Sequence, residues 1–494
     1  MPNKIGFNNF KSFGPNMQYF SDKPITLVYG ANSVGKSSLL HAQLYLKHNL
    51  LYNGLDLMQS QFAGDELSLN GFENVIYKHN VKDSINYEIS VKDLEKIKST
   101  LKNTKIDLEF LNNIASVTFK ISLNKQNKFI NTNIECIVND ETLFLITQNN
   151  LDIKIEKDNI ILDFAIVKKD KDTTIEKFKV IYVFLIYLEE NKKHQYIAPL
   201  REYPKRNDLK FSRRMTTQYK FSTIVSNATN KIKDPATGFN PKDKFKFSYK
   251  LILKHASISA KMKKLAIVMK FEQKLFGFLK YWESYYPYRN MISKNSVFRN
   301  GFLNSKRMWR DFYENKDIRD NVNKWLSNSD YNLHYRLETK SNSLIILDNL
   351  LNIQVHPRDI GLGVSQVLPI LHAAYGSKET KIFIEQPELH LHPKLQSELA
   401  DEFIKSMHDN KNEFMIETHS EYLLLRMMKR MRQTSEGTLP DEKLKLTPDD
   451  ICLLYVDSDE NSTFVLELEL DDDGALLDPW PGGFFEEGFE ERFL

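Results

Sequence analysis

Eight residues near the start of the chain, Gly30-Ala31-Asn32-Ser33-Val34-Gly35-Lys36-Ser37, carry the spacing G-x-x-x-x-G-K-S. Glycines so placed let successive backbone N–H groups wrap a phosphate chain with no Cβ in the way. Lys36 then reaches the outer phosphates, and the Ser37 hydroxyl is a hard oxygen ligand for Mg2+. A second group of candidates lies far downstream, in Glu385-Gln386-Pro387-Glu388. Phosphoryl transfer to water needs a carboxylate at the metal and a group that positions the attacking water. Glu385 stands where the first should be. The next position, often a catalytic glutamate, is Gln386, which orients water but takes no proton from it. Glu388 is the nearest acid that can stand in as the base; the alternative is that it caps the helix that follows. His419 is placed to hydrogen-bond a terminal phosphate. Gly361-Leu362-Gly363-Val364-Ser365-Gln366 forms a second anion cradle without a lysine. One chain needs one such loop, so a second makes sense if it closes on the nucleotide of another copy.

Elements must hold these residues in place. Ile25-Thr26-Leu27-Val28-Tyr29 is a short apolar strand running into the first loop, and Leu39-Leu40-His41-Ala42 continues into a helix. This strand–loop–helix order lets the helix N-terminus add its partial positive charge. Lys381-Ile382-Phe383-Ile384 and Phe414-Met415-Ile416 are apolar strands leading to Glu385 and to Glu417-Thr418-His419-Ser420. Between about residues 83 and 165 the chain alternates apolar and polar, as in Ile85-Asn86-Tyr87-Glu88-Ile89 and Val117-Thr118-Phe119-Lys120-Ile121. That is the period of half-buried antiparallel strands, interrupted by a helical pattern over residues 94–111. Residues 201–246 read as a long basic loop or arm. Residues 249–282 turn helical, with Ile258, Met262, Leu265 and Met269 on one stripe and more helices to about 326. From Ser343 onward strands and helices alternate, which predicts a parallel core sheet.

A chain of 494 residues holds two or three domains. Its longest apolar run, residues 180–188, is half of what a membrane crossing needs, and its start carries no apolar signal segment. Two cysteines far apart, Cys136 and Cys452, fit a reducing compartment and supply no zinc motif. A cytoplasmic protein without a membrane partner is expected. The formal net charge of +3 hides a segregation: residues 201–320 hold 28 Lys/Arg against 10 Asp/Glu, and residues 441–494 hold 3 against 17. The segregation suggests that the basic segment faces a nucleic acid or another polyanion; the alternatives are that it faces the acidic tail or that both segments are solvated faces. His390 and His392 beside Glu388 have poor spacing for a metal site. Asp471-Asp472-Asp473-Gly474 reads as a turn.

Together these residues resemble the ABC-type ATPase heads of the SMC/RecF class, and more closely the OLD-like ATPases of prokaryotes. The resemblance rests on Asn9-Phe10-Lys11-Ser12-Phe13, the phosphate loop, residues 70–75, 197–204 and 361–368, Glu385 to Pro393, Glu417 to Ser420, and Trp480-Pro481-Gly482-Gly483-Phe484-Phe485. It covers about residues 1–200 and 335–494. It implies an α/β P-loop ABC-type ATPase head with an N-terminal antiparallel β region and a mostly helical basic insert. Residues 1–200 and 336–494 would make the split head, with 201–335 as the insert. ATP and Mg2+ are the implied cofactors. Gly30, Asn32, Ser33, Gly35, Lys36, Ser37 and Ser38 would contact the nucleotide, with Gly363, Ser365 and Gln366 reaching it from a second copy. Ser37 and Glu385 would serve the metal, and Gln386, Glu388 and His419 the reaction. Ser365 would be the signature serine acting in trans, and His419 the switch histidine. OLD proteins with a nuclease carry Asp-x-Asp after a C-terminal strand. Asp457-Ser458-Asp459 has that pattern, but only about 75 residues follow His419, too few for the added domain. The expected protein is an ATPase that pairs through its nucleotides, assembles as a homodimer or larger homo-oligomer, and controls a separate effector such as a nuclease. Such subunits occur in anti-phage defence systems of the Septu, PARIS and retron kinds. The alternative is an ATP-gated DNA clamp in repair or recombination.

Overall fold

The computed structural model describes residues 3–52, 59–61, 66–92, 114–126, 129–149, 152–157, 160–163, 194–199, 308–328, 333–340, 343–356 and 359–481. The chain divides into two compact units, Met1–Leu209 with Asn300–Leu494, and Lys210–Arg299. The expectations for residues 94–111, 180–188, 200–204, 201–246, 249–282 and 482–485 lie outside the described residues. Of the basic segment 201–335, residues 308–328 and 333–335 are described.

The strands are β1 (Asn3–Asn8), β2 (Gln18–Asp22), β3 (Ile25–Tyr29), β4 (Gln59–Gln61), β5 (Glu66–Ser68), β6 (Ile85–Val91), β7 (Val117–Gln126), β8 (Phe129–Val138), β9 (Glu141–Asn149), β10 (Asp152–Lys157), β11 (Ile160–Asp163), β12 (His194–Ile197), β13 (Tyr335–Lys340), β14 (Ser343–Asp348), β15 (Ile353–Val355), β16 (Lys381–Glu385), β17 (Glu413–Glu417), β18 (Ile451–Ser458) and β19 (Thr463–Leu468). The helices used below are α1 (Lys36–Tyr52), α2 (Phe72–Val75), α3 (Lys316–Asn328), α4 (Leu362–Gly376), α5 (Pro393–Asn410) and α6 (Glu421–Ser435).

Strand β3 is buried along its whole length. It lies between β17 and β18, parallel to both, in a sheet ordered β12-β16-β17-β3-β18-β19 whose last strand alone is antiparallel. A central strand covered on both faces needs an unbroken apolar run, and residues 25–29 supply one. The second large sheet is wholly antiparallel, ordered β11-β10-β9-β8-β7-β6-β1-β2. Its alternation is as the pattern predicts: Val117, Phe119, Ile121 and Leu123 of β7 are buried and the residues between them are not.

Helix α1 is enclosed between the two sheets, which explains why it is apolar on more than one side. Leu39, Leu40, Leu44 and Tyr45 share one core with Phe7, Tyr87 and Phe119 of the antiparallel sheet and with Val28, Met415 and Leu454 of the parallel one. The Tyr87 hydroxyl donates to the Ala42 carbonyl at 2.8 Å, tying the antiparallel sheet to the helix. His48 lies deep in this helix, 1% exposed, and burial pushes its imidazole down to about 3. The folded protein therefore binds fewer protons here than the unfolded chain between pH 6.5 and about 3. Stability present above pH 6.5 is lost as the pH falls through that window, at most by on the order of a few kcal/mol. His48→Gln is expected to flatten this acid limb in urea melts between pH 7 and 4; an unchanged limb would assign the acid loss to other groups.

The parallel alternation begins later than the sequence reading has it. Strands β13, β14 and β15 form a separate antiparallel sheet, and parallel pairing starts only at β16. The reason is connection length: Asp348 and Ile353 are register partners across a four-residue turn, too short for a parallel crossover. Helix α3 lies against this small sheet, with the Asn323 side chain accepting from Leu337 N at 2.7 Å and donating to Leu337 O at 2.9 Å. Trp309, Phe312 and Val322 are buried, so the described end of the basic segment contributes to the core of the first unit. Among the described residues no helix is long and apolar enough to cross a membrane.

Candidate functional site

The loop from Gly30 to Ser37 leaves the end of β3 and enters α1 at Lys36. Gly30 has φ 141°, and a Cβ there would lie 2.2 Å from the Val456 carbonyl oxygen. No side chain fits, so the glycine is required by contact as well as by conformation. Asn32 and Ser33 are exposed on the loop's outer edge, Ser33 with φ 65°. Gly35 has φ 111°, and Ser38 is half-buried in the first turn of α1. Lys36 is 4% exposed and its ammonium donates to Gly30 O at 3.1 Å and Ala31 O at 2.6 Å. Burial lowers its basicity, and the charges of Glu417 and Glu388 work against that.

The Ser37 hydroxyl donates to Glu417 Oε2 at 2.6 Å. Strand β17 lies between β16 and β3, with Glu385 and Glu417 in register at the ends of neighbouring strands. The structure thus puts Glu417 at the Ser37 hydroxyl and Glu385 one strand further out, on His41 Nε2 at 2.8 Å and the Tyr196 hydroxyl at 2.9 Å. Burial and the Glu385 charge raise the Glu417 carboxyl to about 7, against the pull of Ser37 and Lys36. Burial would also raise Glu385, but its hydrogen bonds from His41 and Tyr196 and the nearby Lys11 charge outweigh it and hold the carboxyl below its usual range. Burial, and then the Lys11 charge, lower the His41 pKa against the hydrogen bond and charge of Glu385.

Gln386 follows directly, with φ 46° and its N–H donating to Glu417 O at 2.8 Å. Glu388 takes Thr418 Oγ1 on one oxygen and His419 N on the other, both at 2.7 Å. It clamps the turn after β17. The cap of α5 is instead His392, whose ring accepts from Lys394 N. His419 is half-buried, and burial followed by the Lys36 charge lowers its pKa. Gly363 and Ser365 sit in the first turn of α4 behind the cap residue Gly361. A Cβ on Gly363 would lie 2.5 Å from His390 O, so this turn rests directly on the backbone that follows β16. Ser365 donates its hydroxyl to Leu362 O at 2.9 Å, Gln366 is buried, and Leu362 beside them is 51% exposed. Pro369 lies inside α4 and lacks the N–H that would reach back to Ser365. Asp459 accepts from the N–H groups of Asn461 and Ser462 in the β18–β19 turn, and Asp471 accepts from Asp473 N and Ala475 N in another.

These residues suit a magnesium-bound triphosphate. The loop excludes side chains at Gly30, presents a cation at Lys36, and sets one hydroxyl against a strand-end carboxylate. Among the described residues no cluster of three or more His, Cys, Asp or Glu could hold a metal. A single hydroxyl with carboxylates behind it matches Mg2+, which keeps most of its water. Sequence reasoning assigned no role to Glu417, His41 or Tyr196. Glu417 was recoverable in principle, since it ends a buried strand as Glu385 does; strand order, which the sequence does not display, decides which of them meets Ser37.

The chain is similar to several solved SMC heads. An SMC head bound to the C-winged helix domain of ScpA is 12% identical at TM-score 0.39, with 94% of this chain and 97% of that one covered. The Smc head from Pyrococcus furiosus with an extended coiled coil, bound to the C-terminal domain of ScpA, is 12% identical at TM-score 0.37, covering 94% and 96%. The SMC head domain from Thermotoga maritima is 9% identical at TM-score 0.32, covering 95% and 100%. No curated protein matches the sequence. Residues 446–491 match a family described as a protein of unknown function, DUF3696. Residues 1–424, with the phosphate loop and both strand-end carboxylates inside them, match the AAA ATPase domain, and the chain belongs to that family.

Proposed function

We propose that the protein is an ATP-binding, slowly hydrolysing sensor or scaffold subunit, of the OLD-like, SMC/RecF kind. In this reading it pairs through nucleotide and controls a separate effector, a nuclease or toxin, in prokaryotic anti-phage defence. The observation that carries the ATPase part is the convergence of Lys36, Ser37 and Glu417 at the mouth of the glycine loop. Bound magnesium would supply charge neutralisation at the phosphates. Lys36 would bind the phosphate chain, Ser37 and Glu417 would orient the metal side, Glu385 would stand behind them, and Gln386 would orient water.

Pairing is the role given to the first turn of α4, where Ser365 would meet a nucleotide held by the other copy. Ser365→Ala is expected to leave ATP affinity within about fivefold of wild type, the loss of one hydrogen bond being worth about 1 kcal/mol, and to remove ATP-dependent pairing in analytical ultracentrifugation. Pairing unchanged by the substitution would count against the trans role. Glu388→Gln removes the candidate base and disturbs the clamp together, so only normal turnover discriminates. Its amide would set an N–H against one of the two donors that Glu388 now accepts, Thr418 Oγ1 and His419 N. Turnover is expected to fall by about 10-fold or more; normal turnover would rule Glu388 out as the base.

Control of an effector is tested by isolating the native complex from cells and by co-purification with the neighbouring gene's product. Failure to retain any partner, with or without ATP, would sink the scaffold reading. The charge segregation favours one alternative, an ATP-gated clamp that holds nucleic acid at the basic segment 201–320. That reading requires ATP-dependent duplex binding that weakens steeply with salt.

A further inference from the structure

Four side chains from four parts of the fold form one chain of hydrogen bonds around the buried Glu385. Lys11 Nζ, on the turn after β1, lies 2.7 Å from His41 Nδ1. His41 Nε2, on α1, lies 2.8 Å from Glu385 Oε1 at the end of β16. The Tyr196 hydroxyl, on β12, donates to that same oxygen at 2.9 Å. An ammonium has donors only, and an ionised carboxylate has acceptors only. An imidazole between them satisfies both in one form alone: neutral, with Nδ1 accepting from Lys11 and the single proton on Nε2 donated to Glu385. A protonated ring would turn an N–H onto the ammonium. The other tautomer would oppose donor to donor at one end and lone pair to carboxylate at the other. The two neighbours therefore fix the tautomer.

We propose that His41 is a positioning residue for Glu385, locked by Lys11 as the Nε2–H tautomer so that it and Tyr196 together hold Oε1 and turn the carboxylate's other oxygen toward the nucleotide side. His41 stands four residues after Ser37 on the same helix, so the two face the same way one turn apart. Any shift of α1 that moves the phosphate loop also moves the donor on Glu385. Lys11 extends the tie to the N-terminal turn, where its backbone N–H bonds Val75 O at the end of α2. Ser12 closes the circuit: its carbonyl accepts from Thr463 N, and the Thr463 hydroxyl donates to Val34 O within the phosphate loop. The turn, the loop and the outer carboxylate are thereby one hydrogen-bonded body. The role in turnover rests on the ATPase reading above; the tautomer does not.

The test has two arms on the full-length chain. In protein labelled with 15N-histidine, the His41 resonances, assigned by their loss in His41→Gln, are expected to show a protonated Nε2 and an accepting Nδ1. Lys11→Met is expected to leave Nε2–H on Glu385 and to free Nδ1 to take a proton, so that the ring gains imidazolium character. A protonated Nδ1 in the wild type, or an imidazolium fraction in Lys11→Met no higher than in the wild type over the same pH range, overturns the proposal. In the second arm, His41→Leu can neither accept nor donate, whereas the carboxamide of His41→Gln can do both. His41→Leu is expected to lower kcat by about 10-fold or more with the affinity for a fluorescent ATP analogue unchanged within about threefold, and His41→Gln to recover most of the loss. Wild-type kcat in His41→Leu, or equal losses in both variants, overturns it. Should His41→Leu not fold, the first arm decides. A wild-type protein that neither binds nor hydrolyses ATP would sink the ATPase reading, and the tautomer would still stand or fall by its own spectrum.

Discussion

Lys36→Ala is expected to weaken ATP binding by about 100-fold or more and to bring turnover to background, with the fold intact. A loss of that size corresponds to about 2.7 kcal/mol. Lys36 supplies the cation at the centre of the loop, held there by the Gly30 and Ala31 carbonyls. The remaining loop donors are neutral N–H groups, and the nearby side-chain charges on Glu417 and Glu388 repel a triphosphate. Removing the ammonium therefore leaves a site with the wrong sign. Folding should suffer much less. The side chain is 4% exposed, and its removal relieves the desolvation of a buried charge while it loses two hydrogen bonds. These oppose each other, so a net change of about 1 kcal/mol is expected. Calorimetric titration with Mg-ATP, beside a thermal melt, separates the two effects. Binding within threefold of wild type in a folded protein would remove the phosphate-loop assignment.

Legibility in the sequence followed range. The phosphate loop, β3 and α1 were readable because fixed local spacing, a buried apolar run and a helix start are all contained in residues 25–42. The alternating strands of the antiparallel sheet were readable for the same reason: period two is a local property. What the sequence did not display was adjacency. β17 follows β16 in the chain, yet it separates β16 from β3 in the sheet, and that insertion sets Glu417 on the Ser37 hydroxyl. His41 reads as filler in an apolar helix until a residue 344 positions later is brought against its ring. Lys11 reads as a strand-end charge until α1 is laid across it. The three-stranded sheet of β13 to β15 was misread because short apolar runs announce strands but not their direction, which the four-residue turn after Asp348 decides.

Gln386→Glu is expected to raise kcat by about 10-fold or more, within the range of about 100- to 10,000-fold that general base catalysis supplies. Gln386 follows Glu385 at the end of β16, with its backbone N–H held by the Glu417 carbonyl and φ 46°. Glutamate has the same length and no branch at Cβ, so the backbone strain of that φ is common to both residues and cancels in the comparison. The exchange adds a proton acceptor and little else to the geometry. It also adds a charge beside Glu385, Glu388 and Glu417, of which Glu417 is already raised to about 7. Repulsion raises the new carboxyl as well, which moves it toward the pKa a base needs at neutral pH and costs folding stability of about 1–2 kcal/mol. The expected variant therefore melts earlier and turns over faster, with KM for ATP within about threefold. Gln386→Ala, which removes the side chain without adding a base, should not accelerate. If Gln386→Glu folds, binds ATP and gains nothing, the slow step lies outside proton removal, and the substitution of glutamine for glutamate at this position is not what sets the rate.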